Sequence, residues 1–185
     1  MKTVPYPEEA RSIEIGMPHP FTIEFEARVI VWLALYTQGN ILEVGCANGC
    51  LTRALAQAAT EKTVYALDWT HNPNLIVHQA AEKPGIVASN AIHLPNVIAI
   101  DGDSKRFAYP SGISFVFVDG DHTYEGVKAD TDKAMLYGPQ IIAWHDFREE
   151  SEWMGVYRLL NEMVNDGVDL VHVEGTPIIV KGWPA

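Results

Sequence analysis

The sequence predicts an α/β protein: a doubly wound, mostly parallel sheet of seven strands with helices on both faces. Three observations lead there. Short apolar runs alternate with amphipathic stretches along the chain, the pattern of βαβ units. One run, Ile113–Val118, is apolar but for Ser114, as suits a strand covered on both faces. The stretch Ile41 to Thr52 passes from an apolar run to an acid, then to two glycines four residues apart, then to a helical pattern. That order describes a buried strand, a tight turn and a helix start.

Composition narrows the class. The 185 residues, 48% hydrophobic and 20% charged, suit one ordinary domain, given about 100–200 residues per domain. Residues 1–20 hold Pro5, Pro7, Pro18 and Pro20 without periodicity and are expected to form an irregular arm before a single domain over 21–185. No apolar run approaches the ~18 residues needed to cross a bilayer, and Glu8, Glu9 and Arg11 leave no apolar leader region. A cytoplasmic enzyme is the expectation. Cys46 and Cys50 flank the glycine turn with no second pair, which favours reduced thiols over a zinc site. The net charge is −11, and the densest basic pair is Lys105-Arg106, which argues against a nucleic-acid substrate. The expected partner is a small molecule; neither nucleic acid nor membrane is expected, and a homo-oligomer is left open.

The elements follow in order. Phe21–Thr37 reads as a helix, with Thr22 as cap and Phe25, Val29, Trp32, Leu33 and Tyr36 at helical spacing. Strand one is Ile41–Val44, followed by a helix over Leu51–Ala59. Strand two is Thr63–Leu67, and a helical segment falls within Asn74–Glu82, before Pro84-Gly85. Ile86–Pro95 has only loose patterning. Strands three and four are Val97–Ile100 and Ile113–Val118. The helix Tyr124–Tyr137 is stopped by Gly138-Pro139. Strand five is Gln140–Trp144, and a helix over Ser151–Asp166 takes Ser151 as its cap. Asp169–Val173 and Pro177–Lys181 close the chain as a two-stranded hairpin.

Ligands of such sheets sit beyond the carboxyl ends of the strands. At the first end, glycine lets the backbone approach a ligand, and the helix N-terminus offers free N–H groups. Glu43 there would repel a pyrophosphate and suits a cationic or hydroxyl-bearing group. At the second, Asp68 lies about 20 residues past the glycine turn, the spacing of an acid that binds a ribose diol, and Trp69 is placed to lie along an adenine ring. The fourth and fifth ends carry Asp119, Asp121 and His122, and His145 and Asp146. If these strands pair, the acids and histidines converge, an arrangement costly unless it binds a cation or moves protons. Asp119 and Asp146 suit magnesium. His145 as third ligand tilts the site toward manganese, iron or zinc. A metal-free site in which His122 or His145 works alone stays open; His122 is the first choice of general base and His145 the second.

Glu43, Gly45 and Gly49, with Ala47 at the middle position, match the E/D-x-G-x-G-x-G motif of the class I S-adenosylmethionine-dependent methyltransferases, which the chain resembles. The nicotinamide fingerprint G-x-G-x-x-G is not met. The run Phe117 to Val127, followed by Trp144-His145-Asp146, is similar to small-molecule O-methyltransferases related to macrocin O-methyltransferase. This resemblance spans roughly residues 40–150 and departs at Gly138-Pro139-Gln140, where the family often has P-G-G. It implies the Rossmann-like methyltransferase fold, whose sheet has seven strands. It implies S-adenosylmethionine held by Glu43, Gly45, Cys46, Ala47, Gly49, Asp68, Trp69 and Asp119, with Asp103 or Ser104 receiving the adenine amino group. It implies Mg²⁺ or another divalent cation on Asp119, His145 and Asp146, with His145 where the family often has an acid. Catalysis would then fall to His122, His145 and Asp119, and the reaction would be O-methylation of a small hydroxylated metabolite. The rival functions are a nicotinamide-dependent oxidoreductase and a non-catalytic cofactor-binding protein.

Overall fold

Side chains alternate between the two faces of one sheet, and that alternation sorts the core. The computed structural model describes residues 1–16, 23–69, 86–149 and 155–184. Its strands are β1 (Lys2–Val4), β2 (Asn40–Val44), β3 (Val64–Asp68), β4 (Val97–Asp101), β5 (Ile113–Val118), β6 (Ile141–Trp144), β7 (Val171–Val173) and β8 (Ile179–Lys181). Its α-helices are α1 (Glu24–Tyr36), α2 (Cys50–Ala58), α3 (Tyr124–Tyr137) and α4 (Gly155–Asn165), and a 3₁₀ turn covers Glu9–Ser12. Phe115 and Phe117 of β5, with Ile41 of β2 and Ile141 and Ala143 of β6, bury against α1 and α2. Val116 and Val118, with Leu42, Val44, Ile142 and Trp144, bury against α3 and α4. Burying each such side chain is worth about 1.5–3 kcal/mol, so the two-sided core fixes the register of the central strands.

The strand order is β1-β7-β8-β6-β5-β2-β3-β4. All pairings are parallel except those of β8, which runs antiparallel to β6 and to β7. The expected pairing of β5 with β6 and the closing β7–β8 hairpin are both present. Among the described residues the sheet has eight strands rather than seven. The additional one is β1, from the arm expected to be irregular: Lys2–Val4 pairs with Val171–Val173 at the sheet edge. Only Val4 of that strand is buried, so there was no hydrophobic alternation to read.

Most boundaries fall within a few residues of expectation. Gly49 precedes α2 in the left-handed conformation (φ 80°), Thr123 caps α3 by accepting from the Gly126 N–H at 3.1 Å, and left-handed Gly138 ends α3. The expected cap Thr22, the helical segment in 74–82 and the cap Ser151 lie outside the described residues. Among the described residues, no helix is long and apolar enough to cross a membrane.

The chain runs outward from β2 to β4, then returns to place β5 on the other side of β2. This is the switch point at which α/β sheets bind ligands. The carboxyl ends of β2, β5 and β6 stand side by side there, and they carry Glu43, Asp119 and His145-Asp146.

Candidate active site

The glycine turn after β2 is held by its neighbours. The Gly45 N–H donates to the Leu67 carbonyl at 2.8 Å. Gly45 has φ 89°, and a Cβ there would lie 2.1 Å from the Asp119 carbonyl oxygen. Glycine is thus demanded by the packing of β2 against β5 as well as by any ligand, and Gly45→Val reports on folding before it reports on a cofactor. Asp68, at the end of β3, accepts from the Ala47 N–H at 2.6 Å and from the Trp69 N–H at 2.7 Å. It therefore braces the turn, in addition to the ribose role expected of it. Ala47 itself is left-handed (φ 46°), and Cys46 is buried.

Glu43 differs from expectation. Only 2% exposed, it accepts a 2.6 Å hydrogen bond from the Thr52 hydroxyl of α2. Burial, followed by the nearby charges of Asp119 and Asp68, pushes its pKa up to about 8 against the pull of Thr52. An acid that keeps its proton only when folded lowers stability as pH rises. Below pH 4.5 both states are protonated; between 4.5 and about 8 only the unfolded state ionises; above that the loss is complete. Glu43→Gln, which keeps an acceptor for Thr52, is expected to flatten this fall by on the order of a few kcal/mol. Urea unfolding at pH 5 and pH 8 checks it: equal slopes in the two proteins would refute a protonated Glu43.

At the end of β4, Asp103 closes its own turn, accepting from the Lys105 N–H at 3.0 Å and lying 3.5 Å from Arg106 Nε. The Ser104 carbonyl accepts from the Lys133 ammonium at 2.5 Å.

The ends of β5 and β6 meet as expected. Asp119 N–H donates to the Val44 carbonyl, and His145 N–H to the Val118 carbonyl, so the three strand ends are tied in a row. Asp146 follows with φ 59°, a left-handed conformation that aspartate tolerates better than most residues. His122 sits on the loop between β5 and α3. That loop is pinned by Asp121, which accepts from the Thr123 N–H at 3.0 Å, and by the Gly155 N–H of α4, which donates to the His122 carbonyl at 2.7 Å.

The side chains form a compact ionic cluster. His122 Nε2 lies 3.3 Å from Asp119 Oδ1 and 3.3 Å from Asp146 Oδ2. His145 Nδ1 lies 3.4 Å from Asp119 Oδ1 and 3.4 Å from Asp146 Oδ1. One ligand atom each from Asp119, His145 and Asp146 falls within 4.8 Å of the others. Burial alone would push His145 down, but the charge of Asp119 and hydrogen bonds with Asp119, Asp146 and Glu26 push it up to about 12. Burial also opposes the protonated form of His122, and Asp119 and Asp146 outweigh it, raising its pKa. The two histidines hold Asp119 and Asp146 below the usual carboxylate range, against their burial.

His145 is the less accessible of the two candidate bases. Its side chain is 5% exposed and both ring nitrogens face carboxylates, which places it poorly to take a proton from an acceptor. As a metal ligand it is well placed, since Nδ1 faces both aspartates. Its Nε2 partner is Glu26 of α1, 3.0 Å away and 5% exposed, which the sequence reading did not single out. The available signal was weak: an acid in a helical first turn suits the helix dipole, and nothing local marks it as buried.

Beside the cluster lies a cleft of about 530 Å³, lined by Glu26, Phe147, Arg148, His172, Thr176 and Pro177, among others. It opens between the start of α1, the segment after β6 and the β7–β8 turn. Phe147 stacks on Tyr157 and meets His172 edge-on, giving it an aromatic wall. Arg148 stands 3.7 Å from Asp146 and 3.9 Å from Glu26, so the rim of the cleft adjoins the cluster.

The fold recurs among solved methyltransferases. CalS11, a TDP-rhamnose 3'-O-methyltransferase of calicheamicin biosynthesis, superposes with a TM-score of 0.60 at 16% identity over 86% of this chain and 78% of that one. The O-methyltransferase NovP gives 0.58 at 13% identity over 84% and 76%. The Podospora anserina methyltransferase PaMTH1, solved with S-adenosylhomocysteine, gives 0.58 at 14% identity over 88% and 79%. No curated protein matches the sequence. The sequence profile of a methyltransferase-domain family matches residues 42–147, more than half of the chain and the whole stretch from the glycine turn to His145-Asp146, and the chain belongs to that family.

Proposed function

We propose that the protein is an S-adenosylmethionine-dependent O-methyltransferase of a small hydroxylated molecule, assisted by a divalent cation. The observation that carries this reading is the cluster of Asp119, His122, His145 and Asp146 beside the glycine turn. Its inner contacts are 3.3–3.4 Å, looser than the roughly 2.7–2.9 Å of a well-formed charged hydrogen bond. Two carboxylates and an imidazole nitrogen that face one point without bonding tightly make a donor set for a cation. Its mixed oxygen and nitrogen chemistry favours manganese, iron or zinc over magnesium.

S-adenosylmethionine would lie along Gly45–Gly49 and the ends of β3 and β4, bringing an activated methyl group to the carboxyl edge of β5. The ion would lower the pKa of the acceptor hydroxyl and fix its direction. The residues do the rest. Asp119 and Asp146 would hold the ion, and His122, on its pinned loop, is the residue placed to take the proton of the hydroxyl. The cleft beside Arg148 and Phe147 receives the body of the acceptor, its aromatic wall against apolar faces and its charged rim against hydroxyls. Nucleic acid does not fit a chain of net charge −11.

The test is methyl transfer from isotope-labelled S-adenosylmethionine to a panel of phenols, catechols and sugars, with EDTA and then with added Mn²⁺ or Mg²⁺. Activity lost in EDTA and restored by the ion supports the reading. Full activity in excess EDTA removes the cation from it.

A further inference from the structure

We propose that Glu26 is a positioning residue for the cation site: from α1 it anchors His145 through Nε2–H, so that Nδ1 faces Asp119 and Asp146 as the third ligand. This rests on the cation-assisted reading above. A carboxylate accepts hydrogen bonds, so the 3.0 Å contact puts the proton on Nε2. Nδ1, the nitrogen 3.4 Å from each aspartate, is then the one an ion would bind, displacing the second ring proton. The two sides of the ring differ in a telling way. The outer contact has the length of a formed hydrogen bond, and the inner ones do not. The ring is thus held by a short contact on the Glu26 side and by longer ones, 3.4 Å to each aspartate, on the side that would face an ion.

The placement of Glu26 agrees. It lies on α1 among the buried Ala27, Val29 and Ile30, where an acid is costly unless paired. Phe117 walls the same ring edge-on, with centroids 6.1 Å apart, which leaves the imidazole little room to turn. Glu26 also supplies the negative charge that a histidine ligand lacks. Carboxylates bonded to ligand histidines in this way raise ligand basicity, and their loss typically weakens metal binding by about 10–100-fold.

The experiment is calorimetric titration of Mn²⁺ alone into the full chain, wild type against Glu26→Ala, Glu26→Asp and Glu26→Gln, with a melting curve for each. Wild type is expected to bind one ion. Glu26→Ala and Glu26→Asp, which remove or withdraw the acceptor, are expected to bind about 10–100-fold more weakly. Glu26→Gln keeps an acceptor in reach of Nε2–H and is expected to lose less. If Glu26→Ala does not fold, the contrast of Asp with Gln carries the test. Folded variants that all bind Mn²⁺ with wild-type affinity would overturn the role of Glu26 and leave the cation reading standing. Absence of binding in the wild type would overturn both.

Discussion

Asp119→Asn is expected to abolish binding of a divalent ion and to lower the stability of the ion-free protein by about 3 kcal/mol at neutral pH. That is the low end of what breaking a buried ion pair costs. The reason is geometric: Asp119 Oδ1 faces both His122 and His145, at 3.3 and 3.4 Å, while Asp146 and Glu26 remain as partners after its loss. The pH dependence has a sign. Asp119 is depressed below its ordinary 3.8, so its contribution is present above that pH and lost as pH falls through the lower folded value. His145 is raised from 6.5 to about 12, so its contribution is full below pH 6.5 and lost as pH rises toward 12. Both are complete between about pH 4 and 6.5, and the gap between wild type and Asp119→Asn should be full there and begin to narrow as pH falls below about 4. Chemical denaturation across pH 3–9, without metal, checks it. A gap independent of pH would mean that Asp119 acts through packing alone.

His122→Ala is expected to lower kcat by about 10²–10⁴-fold, the usual worth of a positioned general base. Binding of S-adenosylhomocysteine should change little, because Asp121 and the Gly155 N–H pin the backbone of the loop that carries His122. The neighbouring aspartates raise the pKa of His122, so the wild-type rate should fall on the acid side from a pH above the ordinary 6.5 of histidine. A cation bound to those same aspartates opposes their pull and should move this limb to lower pH. Rate profiles with saturating and limiting Mn²⁺ give both readouts. An unchanged kcat with the same acid limb in His122→Ala would take the base role away from His122. The role would then pass to His145, the second candidate, despite its burial.

The gathering of this cluster was legible in the sequence. Two apolar runs ending in Asp119 and in His145-Asp146 become neighbours as soon as the strands pair, and in a parallel sheet both ends point the same way. What was not legible depends on burial and on distant partners. Glu26 looks like a dipole-suited acid of a first turn until α1 packs on β5 and β6 and carries it to a histidine 119 positions away. Glu43 reads as a ligand-facing acid, yet it folds under Thr52. Asp68 and Asp103 look like free strand-end acids, but each is engaged by backbone N–H groups of nearby turns, as turn aspartates commonly are. The edge strand Lys2–Val4 has one buried side chain, too few to show a period. Hydrophobic pattern therefore located the strands and their ends, and tertiary contact decided which acids face outward.

The central claim is that the glycine turn and the adjoining strand ends bind the adenosyl cofactor of methyl transfer. Calorimetric titration with S-adenosylhomocysteine, run beside NADH, addresses it without knowledge of the acceptor. The account predicts saturable binding of one S-adenosylhomocysteine per chain and none of NADH. Binding of NADH with no heat from S-adenosylhomocysteine would contradict it.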